Sequence, residues 1–193
     1  MIYCKYIKRI LDLVIASIAL FFLFPVFPFI ALMIKMDSSG PVIFVQNRLG
    51  RMGKIFKIYK FRTMTNRTNR EENKEVMDND PEVTRIGYWL RRYKIDELPQ
   101  LVNVLKGDMS LVGPRPALVN QLKDYDSRVL KRLHVRPGLT GWAQVNGNRY
   151  LPWAKRWEFD VWYVEHCSFW LDLKIIFLTF KILLYGEKYI VRG

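Results

Sequence analysis

"LVIASIALFFLFPVFPFIALMI", Leu13 to Ile34, is a run of 22 residues without a formal charge. As a straight helix it would reach about 33 Å, enough for the roughly 30 Å hydrocarbon core of a bilayer. A cleavable leader does not fit, because the chain runs on into Lys35 without a small-residue cleavage site. A soluble core helix is rarely so long and so apolar. Pro25 and Pro28 fall in mid-segment, where each removes a backbone donor and crowds the preceding turn. Two geometries follow: a proline-kinked span, or a re-entrant helix-break-helix that returns to the face it entered. Basic residues flank both ends, Lys5, Lys8 and Arg9 before and Lys35 after. The positive-inside rule therefore gives a span no direction, whereas a re-entrant pair keeps every flank on one side. The expected division is a membrane segment over 1–36 and a globular part over 37–193.

The 193 residues suffice for one domain with a sizeable core. Half are hydrophobic, which excludes a disordered chain. With 31 Lys and Arg against 18 acids, the net charge of +13 suits polyanions: nucleotides, nucleic acid or anionic headgroups. Cys4 and Cys167 lie far apart and match no metal-ligand spacing, which favours separate thiols in a reducing, cytosol-facing setting.

Beyond the apolar segment, "VIFVQNR" and "KIFKIYKFRTM" alternate at period two around Gly50 and Gly53, predicting a β-hairpin over 42–62. The glycine pair lacks the Lys-Ser/Thr that a phosphate loop needs. Residues 66–82 are polar and mixed in charge, as in a solvated loop or helix. Ile86, Trp89, Leu90 and Tyr93 have helical spacing, and a second helix is expected from Pro99 to about Lys106, with Gly107 beyond its end. Asp96 and Glu97 sit just ahead of that helix. Asp96 as a simple cap and an acid pair holding a hard cation against a phosphate are equally compatible with the pattern. Pro114 and Pro116 fix the direction of Arg115 between them, a fork suited to bidentate phosphate contact. A helix is expected at about 117–132. His134 is an isolated histidine of the structural kind, and Arg136, before Pro137-Gly138, marks a turn that presents another cation. The aromatic stretch of Trp157, Trp162, Tyr163, Phe169 and Trp170 leads into an apolar helix interrupted by Asp172, Lys174 and Lys181. That pattern suits a helix lying in a membrane interface, with a core helix as the alternative.

Five stretches in order, "KRILDLVIA", "GPVIFVQNRLGRMGKIFKIYKFRTM", "IDELPQLVNVLKGDMSLVGPRP", "VRPGLTGWAQVNG" and "WEFDVWYVEHCSFWLDLKII", resemble the bacterial sugar transferases, in particular the small monotopic phosphoglycosyl transferases. The resemblance covers nearly the whole chain and looks like the minimal catalytic form. It implies an α+β fold: a membrane-anchored, mostly helical domain with a small β-hairpin, an N-terminal re-entrant helix over 1–36, a cytosolic catalytic domain over 37–193, and interfacial amphipathic helices. Many members break the re-entrant helix at Ser-Pro, where this chain has Phe24-Pro25.

The resemblance also implies transfer of a phospho-sugar from a UDP-sugar to a polyprenol phosphate at the cytoplasmic face of the bacterial inner membrane. The products would be UMP and a polyprenyl diphosphate sugar, the first membrane step of glycoconjugate assembly. Asp96 would be the nucleophile, and Glu97, with Asp96, would hold Mg²⁺. Arg115 with Pro114 and Pro116, Arg62 in "KFRTM", Arg136 and Gln144 would meet phosphate, nucleotide or sugar. The partners implied are the UDP-sugar, the polyprenol phosphate and the bilayer, with downstream glycosyltransferases as further candidates and nucleic acid excluded. The rival reading is a basic, membrane-attached module that binds anionic lipid or nucleic acid. It leaves an Asp-Glu pair beside a Pro-Arg-Pro turn unexplained, since acids weaken a polyanion-binding face. The sequence does not name the sugar.

Overall fold

The computed structural model describes residues 3–65 and 80–186. A π-helical turn over Tyr3–Ile7 leads into helix α1, Lys8–Leu23; a 3-10 turn at Phe24–Val26 joins it to α2, Phe27–Asp37. The break is a tightened turn around Pro25, with its residues still in the right-handed helical region. The whole stretch Lys8–Asp37 is long and apolar enough to cross a membrane by length and composition.

Both halves nevertheless pack on the globular part. Ala16 of α1, fully buried, sits with Phe56, Ile58, Leu101 and Val104, with Ala19, Leu20 and Leu23 alongside. Ile30 and Ile34 of α2 pack with Phe61 and Leu90. The opposite side carries Phe21, Phe22, Phe24, Phe29 and Met36, all strongly exposed.

The hairpin forms as the alternation predicts: β1, Ile43–Leu49, pairs antiparallel with β2, Ile55–Phe61, in register from Ile43 opposite Phe61 to Leu49 opposite Ile55. Met52 and Gly53 take positive φ in the connecting turn, which glycine adopts without steric cost. The polar segment predicted at 66–82 lies mostly outside the described residues. Its flanks meet where Thr65 N–H donates to Glu82 O.

Helix α3, Arg85–Arg92, is capped by Thr84, and α4, Gln100–Lys106, ends on Gly107 at φ 89°. β3, Ser110–Val112, then pairs in parallel with β5, Gly138–Thr140. Gly138 has no substitute in that pairing, since a Cβ there would lie 2.1 Å from Gly113 N.

The helix expected at 117–132 does not form. Ala117–Leu118 is instead strand β4, added to the far side of β1, and two 3-10 segments follow at Val119–Asp124 and Val129–His134. Side chains compete with the helical backbone there: Gln121 Oε1 accepts Leu118 N–H, Asp126 Oδ1 accepts Val129 N–H, and Tyr125 is extended between them.

Helices α5, Trp142–Val145, α6, Trp153–His166, and α7, Phe169–Tyr185, complete the chain. α7 buries Ile175 and Ile182 in the core and is also apolar on its outer side. Its buried face holds Asp172, which accepts from Tyr3 Oη, Tyr163 Oη and Lys8 Nζ, while Trp170, Leu173, Phe177, Phe180 and Leu184 form an exposed apolar stripe. Of the aromatic stretch predicted to meet an interface, Tyr163 belongs to the core. Cys4 and Cys167, expected as separate thiols, are joined in a disulfide. Their 163-residue separation hides the packing of the N-terminal turn against the α6–α7 junction.

Candidate active site

The left-handed backbone of Lys94, φ 57°, turns the chain sharply out of α3 and into a 3-10 turn over Ile95–Glu97. That turn buries both acids, each 8% exposed. Neither caps α4, whose N-cap is Pro99, so the capping alternative for Asp96 falls.

Two cations share one oxygen of Glu97: Lys60 Nζ at 2.7 Å and Arg115 Nη2 at 3.0 Å. Burial alone would raise Glu97, but Lys60, Arg115 and Lys94 outweigh it and hold the carboxyl well below the usual carboxylate range. Lys60 carries part of that cost, its ammonium lowered by burial despite the pull of Glu97. Asp96 goes the other way. Burial, then the neighbouring Glu97 charge, push it up to about 6, against Lys60, Lys94 and Arg91. Two adjacent carboxyls in one turn are thus split into a locked anion and an acid that titrates close to neutrality.

Arg115 is held from behind. All three carbonyls of the Pro-Arg-Pro turn accept hydrogen bonds: Pro114 O from Gly138 N at 2.9 Å, Arg115 O from Arg132 Nη2 at 2.9 Å, and Pro116 O from Arg48 Nη1 at 3.4 Å. Arg132 is itself buried in a two-point pair with Asp160 Oδ2, at 3.1 and 2.6 Å. Pro114 and Pro116 are buried and Arg115 is half-buried, so a rigid turn delivers one guanidinium to Glu97.

The remaining predicted residues are placed elsewhere. Arg62 is buried and donates to Pro41 O, Ser38 O, Ser38 Oγ and Ile34 O, capping the carbonyl end of α2. Arg136 donates to Gly107 O beyond α4. Gln144 Nε2 turns back to Leu139 O at 3.3 Å.

Two site residues escaped the sequence reading. Lys60 falls in phase with Phe56 and Ile58 on the inward face of β2, and a lysine in core register is a signal that a carboxylate waits opposite. Arg48 follows Gln46 on one face of β1; burial, with Arg115's like charge adding, pulls its guanidinium down to about 10 against Glu97.

Among the described residues no group of three or more His, Cys, Asp and Glu comes together. An all-protein metal cage is therefore not what this site offers. Mg²⁺ usually takes one or two carboxylates and completes its shell with phosphates and water, and the adjacent, mutually repelling Asp96 and Glu97 fit that donor set. Chemically, the arrangement sets cations beside two buried carboxyls, one of them clamped as an anion and the other outside that clamp.

Such a cluster of cations around an acid pair is compatible with phosphate chemistry, and the relatives of the chain point the same way. The family model for bacterial sugar transferases matches residues 3–186. The chain is 44% identical over 181 residues to an uncharacterised sugar transferase, EpsL, of Bacillus subtilis, covering 94% of this chain and 89% of that one. It is 45% identical over 183 residues to the UDP-glucose:undecaprenyl-phosphate glucose-1-phosphate transferase of Escherichia coli, covering 91% of this chain and 39% of the relative. It is also 42% identical over 188 residues to a UDP-N-acetylgalactosamine-undecaprenyl-phosphate N-acetylgalactosaminephosphotransferase of Aeromonas hydrophila, covering 94% and 44%. The chain belongs to the bacterial sugar transferase family and is an enzyme of the phosphoglycosyl transferase class. It spans less than half the length of the last two relatives.

Proposed function

We propose that the chain moves a phospho-sugar from a UDP-sugar to a polyprenol phosphate through a covalent intermediate on Asp96. A carboxylate oxygen of Asp96 attacks the sugar-bearing phosphorus of the diphosphate. The bond from that phosphorus to the bridging oxygen breaks, and UMP departs with the electron pair. An oxygen of the polyprenol phosphate then attacks the same phosphorus, the bond from phosphorus to the Asp96 oxygen breaks and restores the carboxylate, and the polyprenyl diphosphate sugar leaves. Arg115 and Lys60 orient and offset the diphosphate while keeping Glu97 ionised. A magnesium ion held by Glu97 and Asp96 would supply further neutralisation of the diphosphate.

The observation that carries this reading is the split acid pair: Asp96 is buried, free of the Lys60–Arg115 clamp on Glu97, and titrates near 6. It is therefore largely ionised at neutral pH, and its raised basicity makes it a stronger nucleophile than an ordinary carboxylate. Names of the relatives support the donor and acceptor, with glucose in one and N-acetylgalactosamine in another.

The setting proposed is the cytoplasmic face of the inner membrane, with α1 and α2 re-entrant. Two ties support it: Arg9 donates to Val104 O and Leu105 O at one end of the apolar segment, and Asp37 accepts Ile86 N–H at the other. Both ends are held by one domain, the arrangement that a re-entrant pair needs.

The test is nucleotide release in nanodiscs with Mg²⁺, polyprenol phosphate and a panel of UDP-sugars led by glucose and N-acetylgalactosamine. UMP from the wild type and none from Asp96→Asn is the expected result. UDP as product would replace the scheme with one-step glycosyl transfer, and full activity of Asp96→Asn would remove the covalent step.

A further inference from the structure

Lys8, Arg9, Arg51 and Arg136 converge with His134 on an open-sided cleft at the start of α1, about 460 Å³ including its mouth. Among the described residues, Asp12 is the one carboxylate that lines it. Lys8 is matched by Asp172, and Arg9 is taken up by the Val104 and Leu105 carbonyls. Arg51 and Arg136 are different. Each donates through Nε, to His134 O at 3.1 Å and Gly107 O at 2.9 Å, and their terminal amino groups meet no acceptor among the described residues. A guanidinium has five N–H donors in a planar fork, so both side chains, which line the cleft, keep most of their hydrogen-bonding capacity unused by the described residues. Burial, with the charges of Arg9 and Arg51, holds Arg136 below its ordinary value, so the three arginines share one field.

We propose that this cleft binds the phosphate of an anionic phospholipid headgroup. The rim argues for lipid over a soluble anion. Tyr6, Ile7 and Ile10 are exposed on the same turns that carry Lys8 and Arg9, and Phe169 and Trp170 are exposed beside Cys167. Apolar side chains on both sides of a cationic cleft match the level of the headgroups, where aromatic rings and basic residues mix. Two guanidinium forks suit phosphate oxygens geometrically.

The position argues against the reacting lipid. The acids lie just before the N-terminus of α4, whereas Arg9 and Arg136 cap its C-terminal carbonyls. A seven-residue helix separates the two by on the order of 10 Å. A phosphate in the cleft is too far from Asp96 to react. Its effect is to neutralise the arginines and pin the start of α1 at the membrane surface.

The proposal rests on the bilayer reading above, and one experiment separates the two. Binding of the full chain to phosphatidylcholine vesicles, read by flotation, tests the bilayer; failure there sinks that reading. The cleft is tested by thermal unfolding in nanodiscs of phosphatidylcholine alone and with one-fifth phosphatidylglycerol. The wild type should unfold at a higher midpoint in the anionic discs, and Arg51→Gln, whose one bond is to a surface carbonyl, should lose at least half of that shift. Arg51→Gln/Arg136→Gln should lose more. Lys123→Gln/Arg128→Gln removes equal charge from an exposed surface and should keep the shift. Equal losses in all variants, or none in Arg51→Gln, would overturn the site. A shift produced by inorganic phosphate in neutral discs, or by polyprenol phosphate and not phosphatidylglycerol, would overturn the headgroup as occupant.

Discussion

Asp96→Asn should stop turnover and stabilise the protein. Asp96 is 8% exposed and titrates at about 6 in the folded chain, against an ordinary value of 3.8. A raised carboxyl binds its proton more tightly when folded. The native state is therefore unpenalised below the unfolded value, loses stability as pH rises from about 4 to 6, and bears the full cost above that. Two units at 1.36 kcal/mol each give about 3 kcal/mol at pH 7.5. Asparagine keeps the shape and removes the charge, so that cost should be returned. For a chain of this size about 3 kcal/mol corresponds to roughly 6–12 °C in Tm. The assay is thermal unfolding in nanodiscs at pH 7.5 and pH 4, with UMP release measured beside it. At pH 4 wild-type Asp96 is mostly protonated, and the two proteins should unfold within a degree or two of each other. A variant no more stable than wild type at pH 7.5, or a gain of equal size at both values, would refute the argument that Asp96 is a strained, buried anion. An inactive but more stable variant would show a site whose chemistry is maintained against folding stability.

Three other outcomes follow from the same geometry. For the wild type, kcat/KM for the UDP-sugar should rise with pH through about 6 as Asp96 ionises; a flat profile between pH 5 and 8 would disconnect Asp96 from catalysis. Arg115→Ala should cut kcat/KM by about 1.5–3 kcal/mol, on the order of 10- to 100-fold, through loss of a charge-assisted phosphate contact, and unchanged kinetics would reduce Arg115 to a clamp on Glu97. In a background with Cys4 and Cys167 replaced, Lys5→Cys and Ser39→Cys should both react with an impermeant label from the cytoplasmic side only, whereas opposite-side labelling would establish a true span.

Much of this arrangement is legible in the sequence because it is local. Period-two alternation and Gly50 with Gly53 define the hairpin, Pro99 and Gly107 bound α4, and the two prolines around Arg115 announce a rigid turn. The 117–132 segment misleads because its apolar spacing is overridden by Gln121 and Asp126 bonding the backbone. The Cys4–Cys167 bond and the Lys60–Glu97 pair depend on contacts 163 and 37 residues apart, which spacing does not report. Lys60 shows the limit clearly. Its phase in β2 marks it as inward and therefore in need of a partner, but which carboxylate answers is decided by how α3 exits into the Ile95–Glu97 turn. Arg62 is the converse: a basic residue in a motif-like stretch that the fold uses to close the end of α2.

The boundary drawn at residue 36 or 37 does not separate two cores. Ala16 is fully buried against Leu101 and Val104, and Arg9 closes the last carbonyls of α4, the helix whose other end follows the acid pair. Anchor and site thus share α4 as a common strut. Cutting the chain at 36 would open the core beneath Phe56 and Ile58 and leave the carbonyls of Val104 and Leu105 without their guanidinium. The lost packing, at about 25 cal/mol per Å² of re-exposed apolar surface, would fall on the element that sets the acid pair. On the proposed reading, with α1 and α2 in the bilayer and Asp96 carrying the phospho-sugar, this packing and not a linker would set the height of Asp96 above the membrane, and the carboxylate would meet a lipid-borne phosphate at one fixed depth.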